Sequence, residues 1–155
     1  MHYAYGNIDF AQKRWAAAKR AYEASLRIGL ASAPTHPITA AAYYKLGRIH
    51  HERGTFENAK AYLDKAMAIA QIRSPGGDDG TMARIMWKLS QVLESEMFGT
   101  FLKDAAVLRI RVELTLRSLT AKGEGGIVFG VDEEWSVDQE EMEDAYDALV
   151  PGNFR

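Results

Sequence analysis

Apolar residues recur at helical spacing along most of the chain, in segments separated by short runs rich in proline and glycine. This periodicity predicts amphipathic helices. The two clearest interruptions are residues 33–37 (Ala-Pro-Thr-His-Pro) and residues 74–78 (Ser-Pro-Gly-Gly-Asp). Proline and glycine in such runs end one helix and begin the next. We therefore expect an all-α protein built from successive helices.

The helical pattern repeats along the chain. Within residues 43–66, the first helix contains the pair Leu46-Gly47. In the second helix, large apolar residues at positions 56 and 63 alternate with alanines at positions 59 and 66. Small residues let two antiparallel helices approach closely, and large residues fill the gaps between them. A degraded third copy places Leu89-Ser90 at the equivalent position 43 residues later. An upstream copy, offset by 41 residues, aligns Tyr5-Gly6 with Leu46-Gly47, Trp15 with Phe56, Ala18 with Ala59, Tyr22 with Leu63 and Ser25 with Ala66.

This arrangement resembles the tetratricopeptide repeat, in its longer variety of about 42 residues found in large signalling ATPases and motor light chains. The resemblance implies antiparallel helix pairs stacked as a short right-handed solenoid with a C-terminal capping helix. Three pairs are expected within residues 1–122, at approximately 2–30, 37–72 and 79–120. Because the first helix of the first pair begins almost at Met1, two interpretations stay open: the chain is a fragment of a longer protein, or it is an intact small protein whose first helix is short.

Residues 108–116 (LRIRVELTL) allow two interpretations. Apolar and polar residues alternate there, which is typical of a strand, yet Leu108, Val112 and Leu116 also fall at helical spacing. Two preceding helix pairs make a third pair the consistent continuation. We therefore favour a helix.

The last part of the chain differs from the body. Residues 123–135 are rich in glycine and acidic residues and predict a linker. Residues 136–150 predict an acidic amphipathic helix, because Ser136 and Gln139 form a capping-box pattern at its start. Solenoids leave an apolar side open at each end, so this helix is expected to cap the third pair. Its apolar face carries Met142, Ala145, Tyr146 and Leu149.

Charge divides the chain in the same place. Residues 1–123 hold 18 Lys or Arg against 11 Asp or Glu, a net +7, whereas residues 124–155 hold one Arg against ten acids, a net −9. One interpretation is an intramolecular contact between the acidic tail and the basic body. The alternative is a solvated tail that keeps the protein soluble.

Several classes of function are disfavoured. The absence of cysteine excludes disulfides, thiolate metal sites and a cysteine nucleophile. Neither a membrane-spanning apolar run nor a signal-peptide pattern occurs, so we expect an intracellular, cytoplasmic protein. In His50-His51-Glu52, adjacent helical residues point in different directions and cannot share one metal ion. Residues 123–130 (GEGGIVFG) lack the Gly-Lys-Ser/Thr ending of a phosphate-binding loop. We expect no cofactor, no metal and no catalytic activity.

The resemblance also implies a binding surface, since the first helix of each tetratricopeptide pair lines a concave groove. The groove is expected to be aromatic and basic, which suits a protein or peptide partner with acidic groups. The residues placed there by the repeat register are Tyr3, Asn7, Phe10, Tyr44, Lys45, Arg48, His51, Arg84, Trp87, Lys88 and Gln91.

Part of this set is similar to the carboxylate clamp with which some tetratricopeptide domains hold acidic C-terminal peptides of chaperones. Asn7 matches that clamp, and Arg84 with Lys88 matches its basic pair. Tyr3 and Lys45 depart from it, which argues against a chaperone peptide as the partner.

The leading hypothesis is therefore a protein-interaction scaffold that binds a partner segment in its groove. One alternative is nucleic-acid binding by the basic body, which is disfavoured because the basic residues are scattered and no nucleic-acid motif is present. The other alternative is an accessory or regulatory domain of a larger multidomain enzyme or signalling protein.

Overall fold

The computed structural model describes residues 1–76, 79–95, 102–121, 144 and 146–150. The expected linker 123–135 and most of the expected helix 136–150 lie outside these residues, although Asp144 and residues 146–148 are helical. The predicted all-α class is confirmed. The helices are α1 (His2–Ala11), α2 (Trp15–Ser32), α3 (Pro37–Glu52), α4 (Phe56–Arg73), α5 (Gly80–Leu93) and α6 (Leu102–Ala121).

The starts of α3 and α5 are fixed by side-chain caps. Pro37 occupies the first turn of α3, and Nδ1 of His36 accepts a hydrogen bond from the Ile38 amide at 3.1 Å. At α5, Oδ1 of Asp79 accepts a hydrogen bond from the Met82 amide at 2.8 Å. Each cap satisfies a backbone donor that the first turn of a helix leaves without a partner. The two breaks predicted from proline and glycine therefore fall where new helices begin.

Three-residue turns connect the helices of the first two pairs, at residues 12–14 and 53–55. Helices joined by such short turns and packed against each other run antiparallel. Each turn contains one residue in the left-handed region, Lys13 with φ of 56° and Gly54 with φ of 68°. Only glycine adopts this conformation without a steric cost from Cβ.

We expect separate substitutions at these two turn positions to change the free energy of unfolding in opposite directions. Lys13→Gly should stabilise the protein and Gly54→Ala should destabilise it, each by roughly 1 kcal/mol, because Cβ in the left-handed region costs about that much. Among the described residues, no atom lies within 4 Å of a Cβ built on Gly54, so the destabilisation by Gly54→Ala would come from the backbone alone. Urea denaturation followed by circular dichroism measures both changes. Stabilisation by Gly54→Ala would contradict this account of the turns.

Glycines allow close helix contacts within the first two pairs. A Cβ on Gly6 of α1 would lie 2.6 Å from the Tyr22 ring of α2. In the second pair, a Cβ on Gly47 would lie 2.8 Å from Cγ of Leu63. Side-chain atoms do not approach a Cβ this closely without a shift in one of them. The two aligned positions therefore make the same contact, as the sequence alignment of the copies predicted.

The favoured helix at residues 108–116 is confirmed, because these residues lie within α6. In a strand Ile110 and Leu114 would share a face with Val112 and Leu116. Instead Ile110 and Leu114 are exposed, at 60% and 62%, whereas Val112 and Leu116 are buried. Packing of the helical face against α5 decides between the two periodicities.

Two hydrophobic clusters form the interior. One lies between α1, α2 and α3, and the other extends from α3 to α6 and includes Tyr146. Leu26 and Tyr62 pack against both clusters, so the helix pairs share a continuous core. Within the described ranges, no helix is long and apolar enough to cross a membrane.

Candidate functional site

Cations from α3 lie over an aromatic ring of α1. Nζ of Lys45 lies 5.1 Å from the centre of the Phe10 ring, and Cζ of Arg48 lies 5.0 Å from it. Both distances fall within the range of a cation–π interaction. Three predicted groove residues of the first two helix pairs, Phe10, Lys45 and Arg48, are therefore brought together.

Arg84 extends this arrangement to α5. Its guanidinium lies over the Tyr44 ring, with Cζ 4.3 Å from the ring centre. The register placed the predicted groove residues on an exposed surface, but Arg84 and Lys88 are each only 1% exposed. Part of the reason is that C-terminal residues lie against Arg84 and Arg48. The predicted groove residues buried in the structure are Tyr3, Tyr44, Lys45, Arg84, Lys88 and Gln91.

Two arginines from different helices contact one carboxylate. Nη1 of Arg84 donates a hydrogen bond to Oδ1 of Asp147 at 3.0 Å, and Nη1 of Arg48 lies 3.5 Å from Oδ2. Asp147 thus uses both carboxylate oxygens to bridge α3 and α5. Charge-assisted contacts of this kind are stronger than those between neutral groups.

The titration of Asp147 reflects these neighbours. Burial alone raises the pKa of its carboxyl, but the positive charges of Arg84, Lys45 and Arg48 outweigh burial and hold the pKa below the ordinary value of 3.8. A carboxyl whose pKa is lowered by a contact stabilises that contact fully above its ordinary pKa. The stabilisation is lost as the pH falls through the lowered pKa. At neutral pH the groove therefore holds a carboxylate anion.

An aromatic contact lies beside the ion pair. The rings of Tyr146 and Trp87 are 5.5 Å apart, and Tyr146 is 1% exposed. Burial raises the pKa of the Tyr146 phenol, so this side chain stays neutral. Arg109 of α6 also lies over the Trp87 ring, at 5.2 Å, and forms an ion pair with Glu94. Trp87 therefore contacts one side chain from α6 and one from the C-terminal residues.

The segment formed by residues 146–150 makes a third contact at the start of α5. A Cβ built on Gly80 would lie 2.5 Å from both Cβ and the carbonyl oxygen of Leu149. Because one of these atoms belongs to the backbone, a side-chain rotation could not relieve the clash. Glycine at position 80 is therefore required for residues 146–150 to lie where they do.

Several predicted groove residues also have contacts within their own helix pair. The Tyr22 hydroxyl donates a hydrogen bond to Oδ1 of Asn7 at 2.8 Å, and the Tyr3 ring lies 5.5 Å from the Tyr22 ring. His51 packs against Phe56, with ring centres 5.7 Å apart. Each of these three side chains therefore contacts the second helix of its own pair.

The adjacent histidines, His50 and His51, contact different residues. Nδ1 of His50 lies 2.8 Å from Oγ1 of Thr55, and the His50 ring stacks on Tyr62 at 5.2 Å. Burial lowers the pKa of His50. The part of the chain that the structure describes contains no group of three His, Asp or Glu residues able to hold a metal ion.

The sequence identified two of the C-terminal residues that make these contacts, because Tyr146 and Leu149 belong to the predicted apolar face of the final helix. It did not identify Asp147, nor Gly80 at the start of α5. The opposite charges of the body and the tail were the available signal. Three further acids of the tail, Asp132, Glu133 and Glu134, lie outside the described residues.

A family model for the tetratricopeptide repeat matches residues 1–72, which include α1 to α3 and nearly all of α4. No curated protein matches the chain.

Proposed function

We propose that the chain binds a segment of another protein in the groove lined by α1, α3 and α5. The support is that residues 1–72 match the tetratricopeptide repeat family, whose general role is protein–protein interaction. The segment carries an acidic side chain. Tetratricopeptide repeats are generally non-catalytic scaffolds, and binding alone is the activity proposed.

The bridging of one carboxylate by Arg48 and Arg84 carries the proposal. These arginines come from the first helices of two successive pairs, so stacking of the pairs brings them together. Aromatic rings support both cations, Phe10 beneath Arg48 and Tyr44 beneath Arg84. A rigid ring restricts the positions of a guanidinium and lowers the entropy lost when an anion binds. The groove is therefore preorganised for a carboxylate.

Neutralising both arginines is the direct test. Peptides selected from a random library displayed on phage against the wild-type chain should be enriched in Asp and Glu. The double variant Arg48→Gln and Arg84→Gln should bind the selected peptides at least about tenfold more weakly, since hydrogen bonds to charged groups contribute roughly 1.5 to 3 kcal/mol. Anisotropy titration of the synthetic peptides measures the loss.

A matched control changes two lysines of α4, with Lys60→Gln and Lys65→Gln. These side chains contact Asp64 and the rings of Tyr43 and Tyr62, away from Asp147. Equal loss of binding in the two double variants would contradict the groove proposal. Binding of RNA or DNA with a steep salt dependence, unaffected by the arginine changes, would instead favour the nucleic-acid alternative.

A further inference from the structure

The C-terminal residues place three different side chains against the groove within four positions. Tyr146 lies on Trp87, Asp147 bridges Arg48 and Arg84, and Leu149 lies against Gly80. Tyr146 and Val150 are each 1% exposed, so the segment is seated in the protein and not merely adjacent to it. Its contacts combine an aromatic, an ionic and an aliphatic component.

The electrostatics favour an occupied groove. Arg84 is 1% exposed, and a buried guanidinium is costly without an opposing charge. Asp147 supplies such a charge, and Lys45 adds to the positive potential around it. Withdrawal of this carboxylate would remove one neutralising charge from a buried cation. An anion from another molecule could take its place.

The contact at Gly80 indicates independently that this surface accommodates the backbone of the segment as well as its side chains. Gly80 is the first residue of α5 and is buried, and the carbonyl oxygen and Cβ of Leu149 lie where any larger residue would place its own Cβ. The contact therefore recognises the path of the chain as well as its side chains.

We infer that residues 146–150 are an internal pseudo-ligand, and that the groove binds partner segments with the same order of groups: an aromatic ring, an aspartate next to it, and an aliphatic side chain two residues later. This inference rests on the proposed function and specifies its ligand. A partner binds by displacing the chain's own segment. The apparent affinity for that partner is reduced in proportion to the fraction of molecules whose groove is open.

The test is to displace the chain's own segment, residues 146–150, without changing the residues of the groove. The probe is an acetylated and amidated peptide with the sequence of residues 144–150, Asp-Ala-Tyr-Asp-Ala-Leu-Val, carrying a fluorescent label. In the full chain, Asp147→Lys places a cation against Arg48 and Arg84 and should expel the segment. The variant should bind the probe on the order of tenfold more tightly than the wild-type chain, the gain expected when a mostly closed site opens.

Matched controls separate the elements of the inference. Asp144→Lys makes the same charge change at an exposed helical position and should leave the affinity at the wild-type value. Adding Gly80→Ala to Asp147→Lys should abolish the increase in probe affinity, because the new Cβ would clash with the leucine of the probe at the position that Leu149 occupies. A probe with asparagine in place of its second aspartate should bind Asp147→Lys at least about tenfold more weakly than the original probe. Circular dichroism establishes that each variant is folded.

The outcomes distinguish this inference from the proposed function. Equal, arginine-dependent binding of the probe to wild type and Asp147→Lys would overturn the pseudo-ligand while leaving the groove as a binding site. Absence of probe binding to either protein would overturn the ligand pattern, and the library selection would still decide the proposed function. A wild-type dimer that Asp147→Lys converts to a monomer in sedimentation equilibrium would assign the segment to a second copy and overturn the intramolecular contact.

Discussion

Tyr22→Ala is expected to lower the free energy of unfolding by about 3 to 5 kcal/mol, the usual loss when a large aromatic side chain is removed from a core. Tyr22 is fully buried, and its ring lies 5.5 Å from that of Tyr3 and 6.5 Å from that of Phe10. The same ring fills the space that Gly6 leaves open at the α1–α2 contact. Truncation therefore removes contacts to several residues of the first helix together and leaves a cavity.

Tyr22→Phe is the matched control for this loss. It retains the ring and removes only the hydroxyl that donates to Asn7, so its expected cost is about 1 kcal/mol. Urea denaturation of both variants, followed by circular dichroism, gives the comparison. A cost for the alanine variant no larger than that for the phenylalanine variant would refute the central role of this ring in the first pair.

Ala59→Leu is expected to lower the free energy of unfolding by about 1 to 3 kcal/mol because the α3–α4 contact has no room for a larger side chain. Ala59 is fully buried, and its carbonyl oxygen lies 3.3 Å from the position of a Cβ on Gly47. The added isopropyl group must displace either α3 or the neighbouring Leu63. Strain, rather than loss of a contact, is the cause of the expected destabilisation.

Ala61→Leu provides the control on the same helix. Ala61 is exposed, so the same substitution should change the free energy of unfolding by no more than about 0.5 kcal/mol. Thermal and urea denaturation of the two variants test the difference. Similar values for the two would show that Ala59 does not occupy a close helix contact.

Much of the fold was predictable because its determinants are local. Proline and glycine positions gave the helix breaks, and the alignment of Gly6 with Gly47 predicted a contact that recurs in the first two pairs. Helical spacing likewise identified the buried face of α6 through Val112 and Leu116. These features follow from steric rules that act within one helix or between a helix and the next.

The site was predictable only in part. The repeat register identified Arg48 and Arg84, whose approach depends on the stacking of successive pairs. It could not identify their contact with Asp147, which lies 63 residues beyond Arg84 in the chain. The register also placed Asn7 in the groove. In the structure, the Asn7 side chain accepts a hydrogen bond from Tyr22 of the second helix of the same pair. A register specifies a helix face, whereas a hydrogen-bond partner depends on distances between helices.

The sequence alone determined the helical class, the helix breaks and the small residues at close contacts, because periodicity and backbone sterics act over a few residues. Tertiary structure decided that Arg84 is buried, that Asp147 neutralises it, and that Gly80 accommodates Leu149. Those outcomes depend on charge and shape brought together from distant parts of the chain. The net charges of body and tail indicated attraction between them, but only packing selected one carboxylate and its position.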